Sequence, residues 1–472
     1  MPALVVTLIG LGTLAFGAVY PWGYLPLFAA AALIGLVGLR HGVPCEVRPV
    51  AIGLLLLWAA TAVQLLPMPR ATLEALSPNT VDLLGLYNPA FAIGAVEWVP
   101  LSVNPRSTQL GVLALGGLSL YLLGVPALLT SHALRRLPRA LAMFAVPLAL
   151  FGIYSREYNN GLMYWFWLPQ DGGGSNQFGP FVNRNHFAGW MLMATCLLVG
   201  ALFGQVERAS PGSGESRGQR RLAWMSSAQA NGLFLMGGAV LLAVIALFWT
   251  ESRSAMTGFG VAGAALGWLA LTRRQLGTTR RVVAVAALGT ALLAGVMWRG
   301  PARLLAWFQD ERDLLGRLDA WRDGWDVVRD FPLFGTGINT YRDAMLFYQR
   351  GNPGFFLAQA HNDYLQVLAE GGLLVTVPAT LAILLLGYAI RRNLRAARNQ
   401  ARGYWIRSGA AVGLLAMATQ EVFEFSLQIP ANALLFCTLA AIALTPVDGA
   451  SRRVTSRDNI TTPERSADVS LP

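Results

Sequence analysis

The chain contains no lysine; all 36 of its basic residues are arginine. Charged residues of both signs make up only 13% of it, where a soluble domain carries about 25%. That shortage excludes a soluble globular protein. Cysteine is scarce as well. Cys45, Cys196 and Cys437 fall into no CxxC or Cys/His spacing, which excludes a disulfide framework and a zinc site. No P-loop, GxSxG or HExxH occurs. The pI near 10.1 would suggest nucleic acid if the chain were soluble, but no basic patch is interleaved with exposed aromatics. The positive charge is therefore read as topological, and no nucleic acid is expected as a partner.

What the chain has instead is apolar sequence: 54% hydrophobic residues and a mean hydropathy of +0.48. A membrane span needs about 20 apolar residues. Twelve runs qualify: 3–19, 22–38, 50–66, 108–126, 138–154, 187–204, 231–249, 255–271, 282–298, 372–390, 407–424 and 428–445. The reading is an all-α polytopic membrane protein with about 12 transmembrane helices, a single transmembrane domain over 1–445. Arginine then sets its orientation. With the N-terminus inside, the inner segments hold 23 arginines against 7 acids, and the outer ones 13 against 18. Cytoplasmic loops collect arginine, so both termini are expected in the cytoplasm. Residues 3–19 are read as a retained first span, since no basic region or convincing cleavage site accompanies them.

Two outer regions, 155–186 and 299–371, are longer than simple connectors. Within the second, Leu314, Leu318, Trp321, Trp325 and Val328 recur at spacings of four and three, marking an amphipathic helix that Phe331-Pro332 ends. Its tryptophans suit either the membrane-water interface or packing on the protein's own loops. The proline-rich stretch 67–106 discourages long helix. The tail, 446–472, has no apolar period and is expected to be disordered in the cytoplasm.

Five outer-face elements carry polar residues that spans do not need. They are Asn183 to His186, Glu251 to Ser254, Gly335 to Arg342, His361 to Tyr364 with Glu370, and Gln420 with Glu421 and Glu424. Arg184 and Arg253 lie at span ends on the face that does not attract cations, which calls for an anionic partner. Arg253 could pair with Glu251 or reach lipid headgroups, and Glu421 or Glu424 could pair with either arginine. Two guanidinium groups can also hold a diphosphate by parallel charge-assisted hydrogen bonds. A diphosphate is a leaving group too, and fixed cations stabilise the charge it develops without a metal. His361 can accept a proton from an attacking sugar hydroxyl. No DxD or acidic pair at metal-ligand spacing appears in these loops, so neither metal nor cofactor is expected.

Taken in order, FVNRNHFAGWM (181–191), SRSA (252–255), GTGINTYR (335–342) and AHNDYLQVLAEGG (360–372) resemble the O-antigen ligase and polymerase family. The resemblance covers about 178–375 and implies a GT-C-type envelope glycosyltransferase in the bacterial inner membrane with its site facing the periplasm. It implies an undecaprenyl-diphosphate-linked glycan as donor, a glycan or lipid A-core as acceptor, and a metal-independent, inverting transfer. Matched position by position, Arg184 and Arg253 would bind the diphosphate, and His361 would be the base or a transition-state partner. Asn185, His186, Asn339, Tyr341, Arg342 and Asn362 fall in the same motifs and are candidate substrate-binding residues. Ligase and polymerase both remain open. A transporter of lipid-linked glycans is the rival reading, although such a protein should carry charges near mid-membrane and matching broken halves.

Overall fold

The computed structural model of the protein describes residues 1–169, 176–209, 216–299, 312–351 and 356–447. The expected tail lies outside them beyond Val447, as do parts of the outer regions 155–186 and 299–371. The protein is an all-α polytopic membrane protein. Among the described residues the only strands are the antiparallel pair Met68–Pro69 and Trp98–Val99. In chain order, α1 is Pro2–Leu14, α2 Pro21–Leu39 and α3 Arg48–Val63. Three short helices, α4 (Arg70–Leu76), α5 (Pro78–Tyr87) and α6 (Pro89–Ala92), occupy the proline-rich stretch. Two of its prolines open helices, where a missing N–H costs nothing. There follow α7 (Pro105–Leu128), α8 (Ser131–Glu157), α9 (Arg184–Arg208), α10 (Arg217–Met225), α11 (Ala228–Trp249), α12 (Arg253–Thr272) and α13 (Thr278–Arg299). The last five are α14 (Arg312–Asp330), α15 (Tyr341–Tyr348), α16 (Asp363–Ala396), α17 (Ala401–Gln420) and α18 (Pro430–Leu444).

Each of the twelve apolar runs falls on one of these helices. Seven, namely α2, α7, α8, α9, α11, α12 and α16, are long and apolar enough to cross a membrane by length and composition. Three shorter apolar helices are α1, α3 and α18. Two ends differ from the sequence reading. The first run stops being helical at Leu14, because Phe16, Gly17 and Ala18 all take positive φ. The eleventh stops at Gln420, so Glu421 and Glu424 lie in a turn before α18.

Helix α9 is the centre of the bundle: 94% of its apolar stretch is buried, against 22–44% for the other long helices. Leu55, Leu113, Met143 and Leu384, by contrast, expose more than half of their surface, as lipid-facing side chains should. The tightest partner of α9 is α17. They meet at Gly200 and Gly409, where a Cβ on Gly409 would stand 2.6 Å from the Cys196 carbonyl oxygen and 2.9 Å from Gly200 Cα. Small residues there let two backbones touch, which gains dispersion where no water is left to expel.

Helix α16 is broken at Gly372 (φ 54°, ψ −162°) into an outer piece from Asp363 and an apolar piece beyond. A Cβ on Gly372 would lie 2.6 Å from the Leu333 carbonyl oxygen, so only glycine admits the segment 332–337 into the gap. That segment takes over the freed hydrogen bonds. Thr336 N–H donates to Ala369 O (3.1 Å) and Gly337 N–H to Glu370 O (2.8 Å), while Leu373 N–H donates to Pro332 O (2.9 Å) and Leu374 N–H to Leu333 O (2.9 Å). Buried Gln64, just past α3, completes the joint. Its Nε2 donates to Phe334 O (2.7 Å) and Glu370 O (2.9 Å), and its Oε1 accepts from Ile338 N–H (3.0 Å). A helix break at a membrane boundary is tolerated when its polar backbone is satisfied in this way.

Replacing Gly409 by valine should therefore cost about 3 kcal/mol, the upper part of the usual overpacking range. Gly237 on α11 has nothing within 4 Å of a built Cβ, so Gly237→Val should cost far less. Thermal aggregation of the two detergent-solubilised variants, followed by size exclusion, compares them directly.

Candidate functional site

The candidate residues lie at the end of the bundle where α9, α12 and α16 begin and α11 and α17 finish. Each of the three starting helices carries a side-chain cap. Asn183 Oδ1 accepts from Asn185 N–H (2.8 Å), Ser252 Oγ from Ala255 N–H (3.4 Å) and Asn362 Oδ1 from Leu365 N–H (3.0 Å). The positive ends of three helices thus lie at one end of the bundle, an arrangement that favours anions. Arg184 and Arg253 are the first helical residues of α9 and α12, so their guanidinium groups add to the same field.

Arg184 Nη1 is 3.5 Å from Glu251 Oε2, with 27% of the arginine side chain exposed. Glu251 is two residues before Arg253 and holds a positive φ of 55°. Glu251 thus pairs with Arg184, the first residue of α9. The next residue of α9, Asn185, donates from Nδ2 to Glu424 Oε1 at 2.6 Å. Glu424 is completely buried, and the same oxygen accepts from Arg317 Nη2 of α14, also at 2.6 Å. Its other oxygen, Oε2, lies 3.7 Å from His361 Nδ1. One carboxylate thus joins the start of α9, the amphipathic helix and the loop before α16.

His361 and His186 flank one ring. Phe425 meets His186 edge-on at 4.7 Å and His361 edge-on at 4.9 Å, centroid to centroid. His186 Nε2, His361 Nδ1 and Glu424 Oε2 are buried without a hydrogen-bond partner among the described residues. Buried polar atoms are nearly always paired, so three orphans in one spot mark a place for a ligand or a proton. The turn that carries Glu424 also grips α9. Gln420 Nε2 donates to Asn185 O (3.0 Å), and Asn432 Nδ2 donates to His186 O (3.0 Å). His361 has a φ of 50°, and backbone in that region is held only where its surroundings enforce it.

The other candidates lie elsewhere. Asn339 and Tyr341 present their backbone N–H groups to the buried Glu370 carboxylate, at 2.7 Å (Oε2) and 2.9 Å (Oε1). The Asn339 amide donates to Ser107 O (3.0 Å). Tyr341 is buried among Val327, Phe331 and Ala344, and burial raises its hydroxyl well above the ordinary value, so it stays protonated. Exposed Arg342 lies over the Phe356 ring at 5.7 Å. Asn362 caps α16 beside a cavity described below. The structure therefore gathers Asn185, His186 and His361 around Glu424 and Phe425, with Arg184 preceding Asn185 and Arg253 opening the neighbouring helix. It places Asn339, Tyr341 and Arg342 in a separate joint around Glu370 and Phe356.

Arg317 was not picked out by its sequence. It falls on the polar face of an amphipathic helix like any solvated arginine, and its partner is 107 residues away. At the opposite end of the bundle, arginines are spent on structure. Arg273 makes a two-pronged pair with Glu207 (3.0 and 2.9 Å), and Arg407 donates to the carbonyls of Thr445 and Pro446 that end α18.

Removing one member of the buried Arg317–Glu424 pair leaves an uncompensated charge, at about 3–5 kcal/mol. Glu424→Ala should thus lower thermal stability strongly. Arg317→Met combined with Glu424→Leu should recover much of that stability, and melting curves of the single and double variants decide it. Glu370→Ala strands the buried Tyr341 N–H at about 1–3 kcal/mol and removes the acceptor of the part-buried Asn339 N–H. It should reduce the protein's abundance in the membrane, measured by blotting.

Comparison with known proteins finds a likeness over part of the chain. A model of the O-antigen ligase family matches residues 238–380, which include Arg253, Asn339, Tyr341, Arg342, His361 and Asn362. The exopolysaccharide production protein ExoQ of Rhizobium meliloti (strain 1021) is 27% identical over 172 residues. That alignment takes in 34% of this chain and 37% of the relative, so it spans little more than a third of either. Over the matched segment the chain is thus similar to the O-antigen ligase family, and its likeness to an exopolysaccharide production protein points the same way.

Proposed function

We propose that the protein is an inner-membrane glycosyltransferase that takes glycan from an undecaprenyl-diphosphate-linked donor on the periplasmic side. The acceptor is a sugar hydroxyl, on a growing glycan or on lipid A-core. The observation that carries this reading is that Arg184 and Asn185 are consecutive at the start of α9, while Asn185 and His361 both face the buried carboxylate of Glu424. Family likeness supports a ligase- or polymerase-type membrane role, and the site supplies the chemistry for it.

In this reading Arg184 and Arg253 hold the diphosphate, helped by the N-terminal ends of α9 and α12. The 3.5 Å contact of Arg184 with Glu251 is longer than a good charge-assisted bond, so an entering phosphate oxygen can replace it. Glu424 beside His361 Nδ1 orients the ring and leaves Nε2 as the base. The acceptor oxygen attacks the anomeric carbon as its proton passes to His361. The carbon–oxygen bond to the diphosphate breaks, and the bond's electron pair leaves on undecaprenyl diphosphate beside the arginines. Attack opposite the leaving group inverts the anomeric centre. Asn185 and Arg317 act through Glu424 and are positioning residues.

Arg184→Ala, Arg253→Ala and His361→Ala, each checked for membrane insertion, should lower donor turnover by about 10²-fold or more, the usual cost of losing one fixed donor to a developing anion. Near-wild-type turnover in all three would end the reading. So would movement of the lipid-linked donor across sealed vesicles with no sugar transferred.

A further inference from the structure

Between α14 and the first turns of α16 lies a cavity of about 880 Å³ that the donor chemistry leaves without a role. Its long wall is a strip of α14 that includes Trp321, Trp325 and Arg329; Asn362 and Tyr364 lie across from it, and Arg350 also lines it. The apolar stripe read from the sequence is only partly the face that α14 buries: Val328 is buried and Trp321 packs against the same core. Ala320, Asp323, Val327 and Phe331 are almost completely buried, with Val327 and Phe331 in one core with α15 and the start of α16. Trp325 is left 48% exposed along the cavity.

The lining is matched to sugar rather than to lipid or water alone. Indole faces suit the C–H face of a sugar ring. Among the described residues Trp321 Nε1–H is buried without a hydrogen-bond partner, so a donor is on offer beside the stacking surface. Asp326 lies between Arg329 (3.1 Å) and Arg350 (3.7 Å), giving hydroxyl groups both acceptors and forked donors. An acyl chain would use none of these polar groups. The cavity also leads to the right place. Asn362 lines it, whereas the preceding residue, His361, packs against Phe425 close to Glu424. Arg317 pins the other end of the same helical strip to Glu424. From Arg317 to Arg329 the helix advances roughly 18 Å, room for more than one sugar ring in a row.

We propose that this cavity is the acceptor subsite: an oligosaccharide strand stacks on Trp321 and Trp325 and directs its terminal hydroxyl to His361. The inference rests on the transfer reading above for the purpose of the strand, but its binding can be measured with no donor present. The full-length protein in lipid nanodiscs is titrated calorimetrically with oligosaccharide fragments, released by mild acid from the surface polysaccharide of the strain that makes it. Wild type should bind saturably. Trp325→Ala should weaken binding at least about ten-fold and raise the acceptor KM more than it lowers kcat. Trp325→Phe should restore part of the affinity, and Trp268→Ala, on exposed α12 surface, should bind like wild type. Melting curves confirm that each variant is folded. No saturable binding by wild type, or equal binding by Trp325→Ala, overturns the proposal and leaves the donor chemistry standing. Fragment binding that survives while transfer proves absent would instead sink the transfer reading and keep the cavity as a glycan site.

Discussion

The carboxylate of Glu424 is the constraint on which this end of the bundle depends. Burying it completely costs several kcal/mol unless donors replace the lost water. Asn185 and Arg317 supply them on one oxygen, and His361 faces the other. Because those partners come from three separate stretches of chain, satisfying one charge also sets the position of α9, α14 and the loop before α16. The broken helix α16 works in the same way at a second point. There Gln64 and Glu370 gather backbone groups from residues 334–341 and hold them against the break in the helix.

The two ends of the bundle use arginine in opposite ways. Arg273 is only 5% exposed and locked by a two-pronged pair at 2.9–3.0 Å; that geometry has structural work and nothing to spare. Arg184 is five times as exposed and meets its acid at 3.5 Å. A contact of that length in partial solvent is worth little, so an incoming anion with several oxygens competes well for it. Arg273 is thus a fixed brace, whereas in the proposed reading Arg184 is the grip that an incoming anion takes over.

Much of the architecture was legible because hydropathy is a local signal. The twelve apolar runs need no tertiary information, and each meets a helix. Arg184 and Arg253 stood out for the same reason, as charges at span ends against the arginine gradient, and His361 as a polar residue in an outer loop. The Arg317–Glu424 pair was not legible: nothing in either neighbourhood says that residues 107 apart will touch. Nor could periodicity tell which face of α14 would pack. Asp323 is buried there because its Oδ2 accepts the N–H groups of Arg350 and Gly351, a duty set by a loop far along the chain. Asn339 and Tyr341 drew notice through their side chains, whereas it is their backbone amides that Glu370 holds.

The order in which these pieces are made has a consequence for biogenesis. Asn185, Arg317 and His361 all leave the ribosome before Glu424, and the clasp from Asn432 arrives later still. Until α17 and α18 have been inserted, the helices made earlier have polar atoms facing one another with no counter-charge to draw them together. A nascent chain halted short of that point would hold every earlier motif and yet no assembled Glu424 cluster.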